Sequence, residues 1–272
     1  MSNQLPPASI HLVKDNGKVK IHTLVAPAPF FANATHIIEL PDELVLVDGQ
    51  FFAQYGAAFR RLADNLHKPV TRYYVTHDHP DHYLGMGDAF PDVPVYALPE
   101  IIASIQKVGP HELEEKQRQM GSLIASRLVV PSHVVEPGEE LIGGERFVFQ
   151  RVLDTESPAT LVIKLPELGV VIAQDIIYHN THAFITGPVH NWKTALLQLS
   201  ADKDYDTFLP GHGLPADKAD LDNAVAYLAR VEKIKRASRT ADEYRQAVLD
   251  AYPNYGGTKL IDIYLPVLFP NK

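Results

Sequence analysis

Residues His77-Asp78-His79-Pro80-Asp81-His82 put three imidazoles and two carboxylates into six consecutive positions. Imidazole nitrogen and carboxylate oxygen are the donors that Zn, Mn or Fe accept, and they are also the groups that move protons in hydrolysis. The apolar run Tyr73-Tyr74-Val75-Thr76 precedes them and reads as a strand, so the polar loop begins at a sheet edge, where alternate side chains can turn toward one point. The alternative is a solvated loop that happens to hold histidine. With 13 His in 272 residues, chance placement of His-x-His-x-Asp-His is on the order of one in several hundred or rarer. Cys is absent, which removes disulfides, thiolate ligands and a thiol nucleophile and leaves only N and O donors for a metal.

A loop of that kind needs strands to aim it. Apolar alternation predicts strands at 9–14, 19–25, 35–40 and 43–47, with Asp15-Asn16-Gly17 as a hairpin turn. Phe52, Tyr55, Phe59, Leu62 and Leu66 recur at helical spacing over 51–67, Pro69 closes that helix, and 70–76 is the strand leading into the motif. Helices are predicted at 99–108 and 111–125, the second solvent-facing because it is rich in Glu, Lys, Arg and Gln. The second half repeats the order: strands at 144–153, 160–165, 169–173 and 206–209, with helices at 191–199, 218–238 and 241–251. Two strand-then-helix halves without a long linker predict a layered α/β sandwich in one domain, 1–272, with a C-terminal helical extension over about 214–272. The apolar run 260–269 must be covered, by packing on the sandwich, by capping a pocket or by pairing two chains as a homodimer.

The motif resembles the signature of the metallo-β-lactamase superfamily, and the resemblance extends over about 21–212. It implies a four-layer αββα sandwich. Asp48, in Leu46-Val47-Asp48-Gly49, stands where the family has an aspartate that supports the metal loop without binding metal, although alone it reads as a turn. Asp175, after Val171-Ile172-Ala173-Gln174, matches the family's bridging carboxylate, and His212, in Pro210-Gly211-His212-Gly213, its late histidine. One landmark departs: in Thr155-Glu156-Ser157-Pro158-Ala159-Thr160, Glu156 occupies the slot of the third histidine. Glu156 either ligates as an oxygen donor or only hydrogen-bonds the loop.

The resemblance therefore implies one site from His77, His79 and Glu156, a second from Asp81, His82 and His212, and Asp175 between them. Two divalent ions are expected, zinc first, with Mn or Fe as alternatives. The implied activity is metal-dependent hydrolysis of a small ester, thioester or lactone by a hydroxide bridging the metals, similar to glyoxalase-II-like and lactonase members. Asp81 and Asp175 are implied as catalytic, with Asp78 or Asp175 handing a proton to the leaving group. Glu156 also resembles the alkylsulfatase-type members, which makes alkyl sulfate hydrolysis the alternative. A metal-binding protein without catalysis is the reading from another class.

Residues 178–192 are dense in His and aromatics, so Tyr178, His179, His182, His190 and Trp192 are candidate pocket residues, with Phe30 and Phe31 as a flap and Tyr83 after the motif. Lys plus Arg is 25 and Asp plus Glu is 33, a formal charge of −8 that disfavours a nucleic-acid partner. No apolar stretch approaches a membrane span, so no membrane partner is expected, and the resemblance implies a small-molecule substrate. The start, MSNQLPPAS, lacks signal-peptide character, and cytoplasm is the default unless a leader has been removed, which would make the protein periplasmic or secreted.

Overall fold

A computed structural model describes residues 4–270; positions 1–3 and 271–272 of the expected 1–272 unit lie outside the described residues. Strands β1 (Ser9–Asp15) and β2 (Lys20–Val25) form the expected hairpin, in which the Asn16 side chain accepts from the Lys18 and Val19 amides and Gly17 takes φ +85°. Two further antiparallel strands, β3 (Ala34–Glu39) and β4 (Leu44–Val47), lead to parallel β5 (Val70–Tyr74), β6 (Val95–Ala97) and β7 (His133–Val134), giving a seven-stranded sheet in sequence order. The change from antiparallel to parallel comes where α1 (Ala53–Asn65) crosses over from β4 to β5, which sends both strands out at the same edge.

The second sheet holds β8 (Gly138–Ile142), β9 (Glu145–Leu153), β10 (Ala159–Leu165), β11 (Val170–Tyr178) and β12 (Thr207–His212), in the order β12-β11-β10-β9-β8. Side-chain alternation divides it between two cores. Val170 and Ile172 of β11 pack into the core shared with the first sheet, whereas Val171 and Ala173 join the core beneath α3 (His190–Ala201) and α4 (Lys218–Ala237). On the other side α1 and α2 (Pro99–Met120) cover the first sheet, with Phe59 of α1 set edge-on against Tyr73 and Phe90. Helix, sheet, sheet and helix are therefore stacked as expected for a four-layer sandwich.

Several boundaries differ from the sequence reading. Helix α2 runs unbroken through Pro110, where a stop was expected, and ends at Gly121 with φ +59°. An interior proline costs about 3 kcal/mol, and here burial of Ile101, Ile105 and Gly109 on the same helix offsets it. Strands β6, β7 and β8 are too short or too exposed to show alternation in the sequence. After α5 (Ala241–Ala251), the run 260–269 forms α6 (Thr258–Leu268), which packs Leu260, Ile261 and Tyr264 into the second core. No helix among the described residues is long and apolar enough to cross a membrane.

His36 of β3 is a buried polar link between the sheets. Its Nδ1 meets Thr23 Oγ1 at 2.9 Å, and its Nε2 lies 3.4 Å from Gln174 Oε1 on β11. Burial lowers its pKa from 6.5 to about 4, outweighing the opposite pull of Asp48. The native ring is then neutral, while the unfolded chain binds a proton below pH 6.5, so this stability is present above pH 6.5 and is lost as the pH falls toward 4. The loss amounts to about 3 kcal/mol. In His36→Gln, urea unfolding of metal-stripped protein should lose that part of its pH dependence; an unchanged slope between those pH values would refute the assignment.

Candidate metal centre

The edge where the parallel strands end carries the polar cluster. Asp48 follows β4 and adopts φ +55°, a left-handed turn that Asp tolerates. Its carboxylate is fully buried and accepts from the Thr76 amide and hydroxyl, each at 2.7 Å, and from His82 Nδ1 at 2.9 Å. Because the Thr76 hydroxyl spends its proton on Asp48, it accepts from His77 Nδ1 at 3.0 Å. His77 and His82 thus carry their protons on Nδ1 and turn Nε2 lone pairs into the cluster. His212, at the end of β12, does the same by donating from Nδ1 to the Phe31 carbonyl at 2.7 Å.

After β5, a single 3-10 turn, Pro80–His82, with His79 as its cap, gathers the rest of the motif. In β11 a bulge at Gln174, φ +45°, breaks the register with β12 and places Asp175 inside. Asp175 Oδ1 lies 3.1 Å from His82 Nε2, and Oδ2 lies 3.4 Å from His212 Nε2 and 3.6 Å from His77 Nε2. Asp81 Oδ2 is 3.3 Å from His212 Nε2 and 3.7 Å from His82 Nε2. Glu156, in the β9–β10 loop, sets Oε1 3.2 Å from His79 Nδ1. Tyr178 stacks on the His212 ring at 4.7 Å and donates to Asp175 Oδ2 at 2.6 Å, with Glu156 Oε1 at 3.2 Å.

Two groups of donor atoms fall within 4.8 Å of one another: His77, His79, Glu156 and Asp175, and Asp81, His82 and His212. A third, Asp48 with His77 and His82, lies behind them, with its carboxylate already saturated by Thr76 and His82. Buried His77 Nε2 and Glu156 Oε2 lack hydrogen-bond partners among the described residues, and lone pairs facing carboxylates are repulsive unless a cation lies between them. Protons can play that part. Burial alone would lower the histidine pKa values, but Glu156 chiefly raises His79 to about 9, Asp175 chiefly raises His212 to about 10, and His82 is also raised by Asp175 and Asp81. Asp175 is held well below the usual carboxylate range, by His82 first, despite burial. The donor set fits divalent cations, which would take the place of these protons.

A largely apolar cleft of about 180 Å³ opens onto the cluster, lined by His79, Asp81, Asp175, Tyr178 and His212 and by Phe31, Phe51, Lys116, Met120, Phe184, Leu260 and Ile263, with Pro80. Of the expected pocket residues, Phe31 and Tyr178 are there. The others lie elsewhere. Phe30 turns to Phe52 and Tyr55, with ring centroids at 5.4 and 5.9 Å; Tyr83 is fully buried; Trp192 anchors α3 by donating to the Ile176 carbonyl at 2.8 Å. His179 bonds the Leu214 carbonyl at 2.8 Å, His182 meets the Tyr227 hydroxyl at 3.1 Å in the second core, and His190 is exposed at the start of α3. Asp78 likewise leaves the cluster, because its carboxylate accepts from Ser104 on α2.

Sequence reasoning missed Thr76, which couples Asp48 to His77, and Phe184, whose ring lies 5.3 Å from His79 although it sits in the aromatic segment already singled out. It also missed Asn33, whose amide is 3.5 Å from both Asp81 and His82, and for that residue no local signal exists. The glycine of Pro-Gly-His-Gly has a physical reason. A Cβ on Gly211 would sit 1.8 Å from Asp175 Oδ1 and 3.0 Å from His82 Cε1. Gly211→Ala should therefore keep the fold but lower metal affinity by about 10–100-fold, as displaced support residues do; wild-type affinity in a chelator competition would count against this packing account.

Comparison with known proteins gives a consistent picture. A family model described as the metallo-beta-lactamase superfamily matches residues 28–212. The alkyl/aryl-sulfatase BDS1 of Saccharomyces cerevisiae is 26% identical over 178 residues, covering 53% of this chain and 28% of that protein, so the match spans only about a quarter of the relative. The structure of a metallo-beta-lactamase from Pontibacter korlensis aligns with TM-score 0.61 and 18% identity over 81% of this chain and 99% of that one. A double mutant of the sec-alkyl sulfatase PisA1 aligns with TM-score 0.62 and 16% identity over 96% of this chain and 49% of that one. At those identities the structural likeness speaks for the fold.

Proposed function

The chain belongs to the metallo-beta-lactamase superfamily, whose members are metal-dependent hydrolases, and from that premise we propose that it hydrolyses a small ester, thioester or lactone at this cluster. The observation that carries the reading is the convergence of three histidines of fixed tautomer, a fourth on Glu156, and the Asp175 carboxylate on the floor of a small apolar cleft. His77, His79 and Glu156 would hold one cation and Asp81, His82 and His212 another, with Asp175 between them. When bound, such ions supply Lewis acidity, polarising the oxygen under attack and acidifying water. Asp48 and the Phe31 carbonyl keep His82 and His212 oriented, and the Tyr178 hydroxyl fixes Asp175. Asp81 and Asp175 line the cleft and would pass a proton to a leaving group, whereas the Asp78 carboxylate is taken up by Ser104. Phe31, Phe184 and Met120 exclude water from the reacting bond.

Alkyl sulfate hydrolysis is the second reading, favoured by Glu156 beside His79 and by the sulfatase relative. The test is a panel of carboxylic esters, thioesters, lactones and alkyl sulfates given to protein loaded with Zn, Mn or Fe. Chelator-sensitive turnover in the carbonyl series is expected. Turnover of alkyl sulfates alone would transfer the assignment to the second reading, and an untouched panel would leave a metal-binding protein without catalysis.

A further inference from the structure

Among the described residues, Lys116 is the single Lys or Arg lining the cleft. It lies on α2 one turn before Met120, so the two side chains share a helix face, and that face turns to the cleft although the sequence composition points it to solvent. The residue is half-buried, and its ammonium has no ion-pair partner among the described residues. Four of the other half-buried lysines, Lys14, Lys68, Lys164 and Lys193, meet a carboxylate, at 2.9, 2.8, 3.4 and 3.0 Å, and Lys218 donates to the Asp202 carbonyl at 2.6 Å, whereas Lys20, away from the cleft, is like Lys116 in having no ion pair among the described residues. A cation drawn partly out of water with nothing opposite it costs free energy that an incoming anion would recover.

We infer that Lys116 is a specificity-determining residue: it binds an oxyacid group, carboxylate or sulfate, carried on an apolar body lying along Phe31, Met120, Leu260 and Ile263. The inference rests on the hydrolase reading above and narrows it to amphiphilic anions. Charge balance agrees. In an empty cluster the carboxylates of Asp81, Glu156 and Asp175 are balanced by the protons on His79, His82 and His212, whereas two divalent ions would exceed the three carboxylates in charge and leave Lys116 adding to a positive cleft.

The test compares matched pairs on zinc-loaded protein: monomethyl adipate against dimethyl adipate, and hexyl sulfate against hexyl acetate. A charge-assisted hydrogen bond is worth about 1.5–3 kcal/mol, so Lys116→Gln should lower the anionic-to-neutral ratio of kcat/KM by about tenfold or more, through KM, and Lys116→Arg should restore it. The pair that responds separates a carboxylate from a sulfate. Calorimetry with hexanesulfonate and hexanol gives a readout without turnover, and only the sulfonate should lose affinity in Lys116→Gln. An equal effect on both members of each pair would overturn the inference. Lys116-dependent sulfonate binding with no ester or sulfate turned over would uphold the anion site and overturn the hydrolase reading; sulfonate binding indifferent to Lys116 would overturn the anion site whatever the turnover.

Discussion

Asp175→Asn should strip the protein of at least one cation and lower kcat by about 10²–10³, the scale of losing one electrostatic contact to a transition state. Asp175 is buried, and its two oxygens face opposite halves of the cluster, Oδ1 toward His82 at 3.1 Å and Oδ2 toward His212 at 3.4 Å and His77 at 3.6 Å. Asn keeps the shape but removes the charge and turns an NH₂ toward imidazole lone pairs. The Tyr178 hydroxyl, which donates to Oδ2 at 2.6 Å, can still find an acceptor, so the fold should survive and the loss should be chemical. Metal content and single-turnover rate check this. Full metal content with a rate within tenfold of the parent would show that Asp175 does not join the two halves.

Asp48→Ala should act from behind the cluster on both stability and metal affinity. It removes the acceptor of the Thr76 amide and of His82 Nδ1, leaving buried donors unpaired. Breaking a buried ion pair typically costs about 3–5 kcal/mol, and His82, whose pKa neighbouring carboxylates raise, is such a partner in metal-free protein. Loss of this support also frees the His82 ring, which should weaken metal binding by about 10–100-fold. Urea unfolding of stripped protein and chelator competition of loaded protein give the two numbers. A change below about 1 kcal/mol with unaltered affinity would mean that Asp48 is only a turn residue.

The centre was legible in the sequence because much of it is local. One 3-10 turn needs few contacts to gather His79, Asp81 and His82, and the landmarks Asp48, Asp175 and His212 each stand at the end of a strand or a bulge within one, where direction is fixed by pairing. The cleft wall was not legible, because it depends on which face of a helix turns inward. Phe30 and Phe31 are neighbours that point to different places, since φ turns positive at Phe31. Trp192 stood out as the single tryptophan, yet its indole answers a core carbonyl. Lys116 lay hidden in a charged run that reads as solvent-facing, and α6 in an apolar stretch without polar periodicity.

The central claim is that stretches far apart in the chain converge to hold divalent cations at His77, His79, Glu156, Asp175, Asp81, His82 and His212. Calorimetric titration of EDTA-stripped protein with Zn²⁺, in buffers of different protonation enthalpy, tests it most directly. The account predicts two equivalents bound with release of protons from the histidines that carboxylates now keep charged. Absence of saturable zinc binding by folded protein, or binding that persists unchanged when both Asp175 and His82 are replaced by Ala, would contradict it.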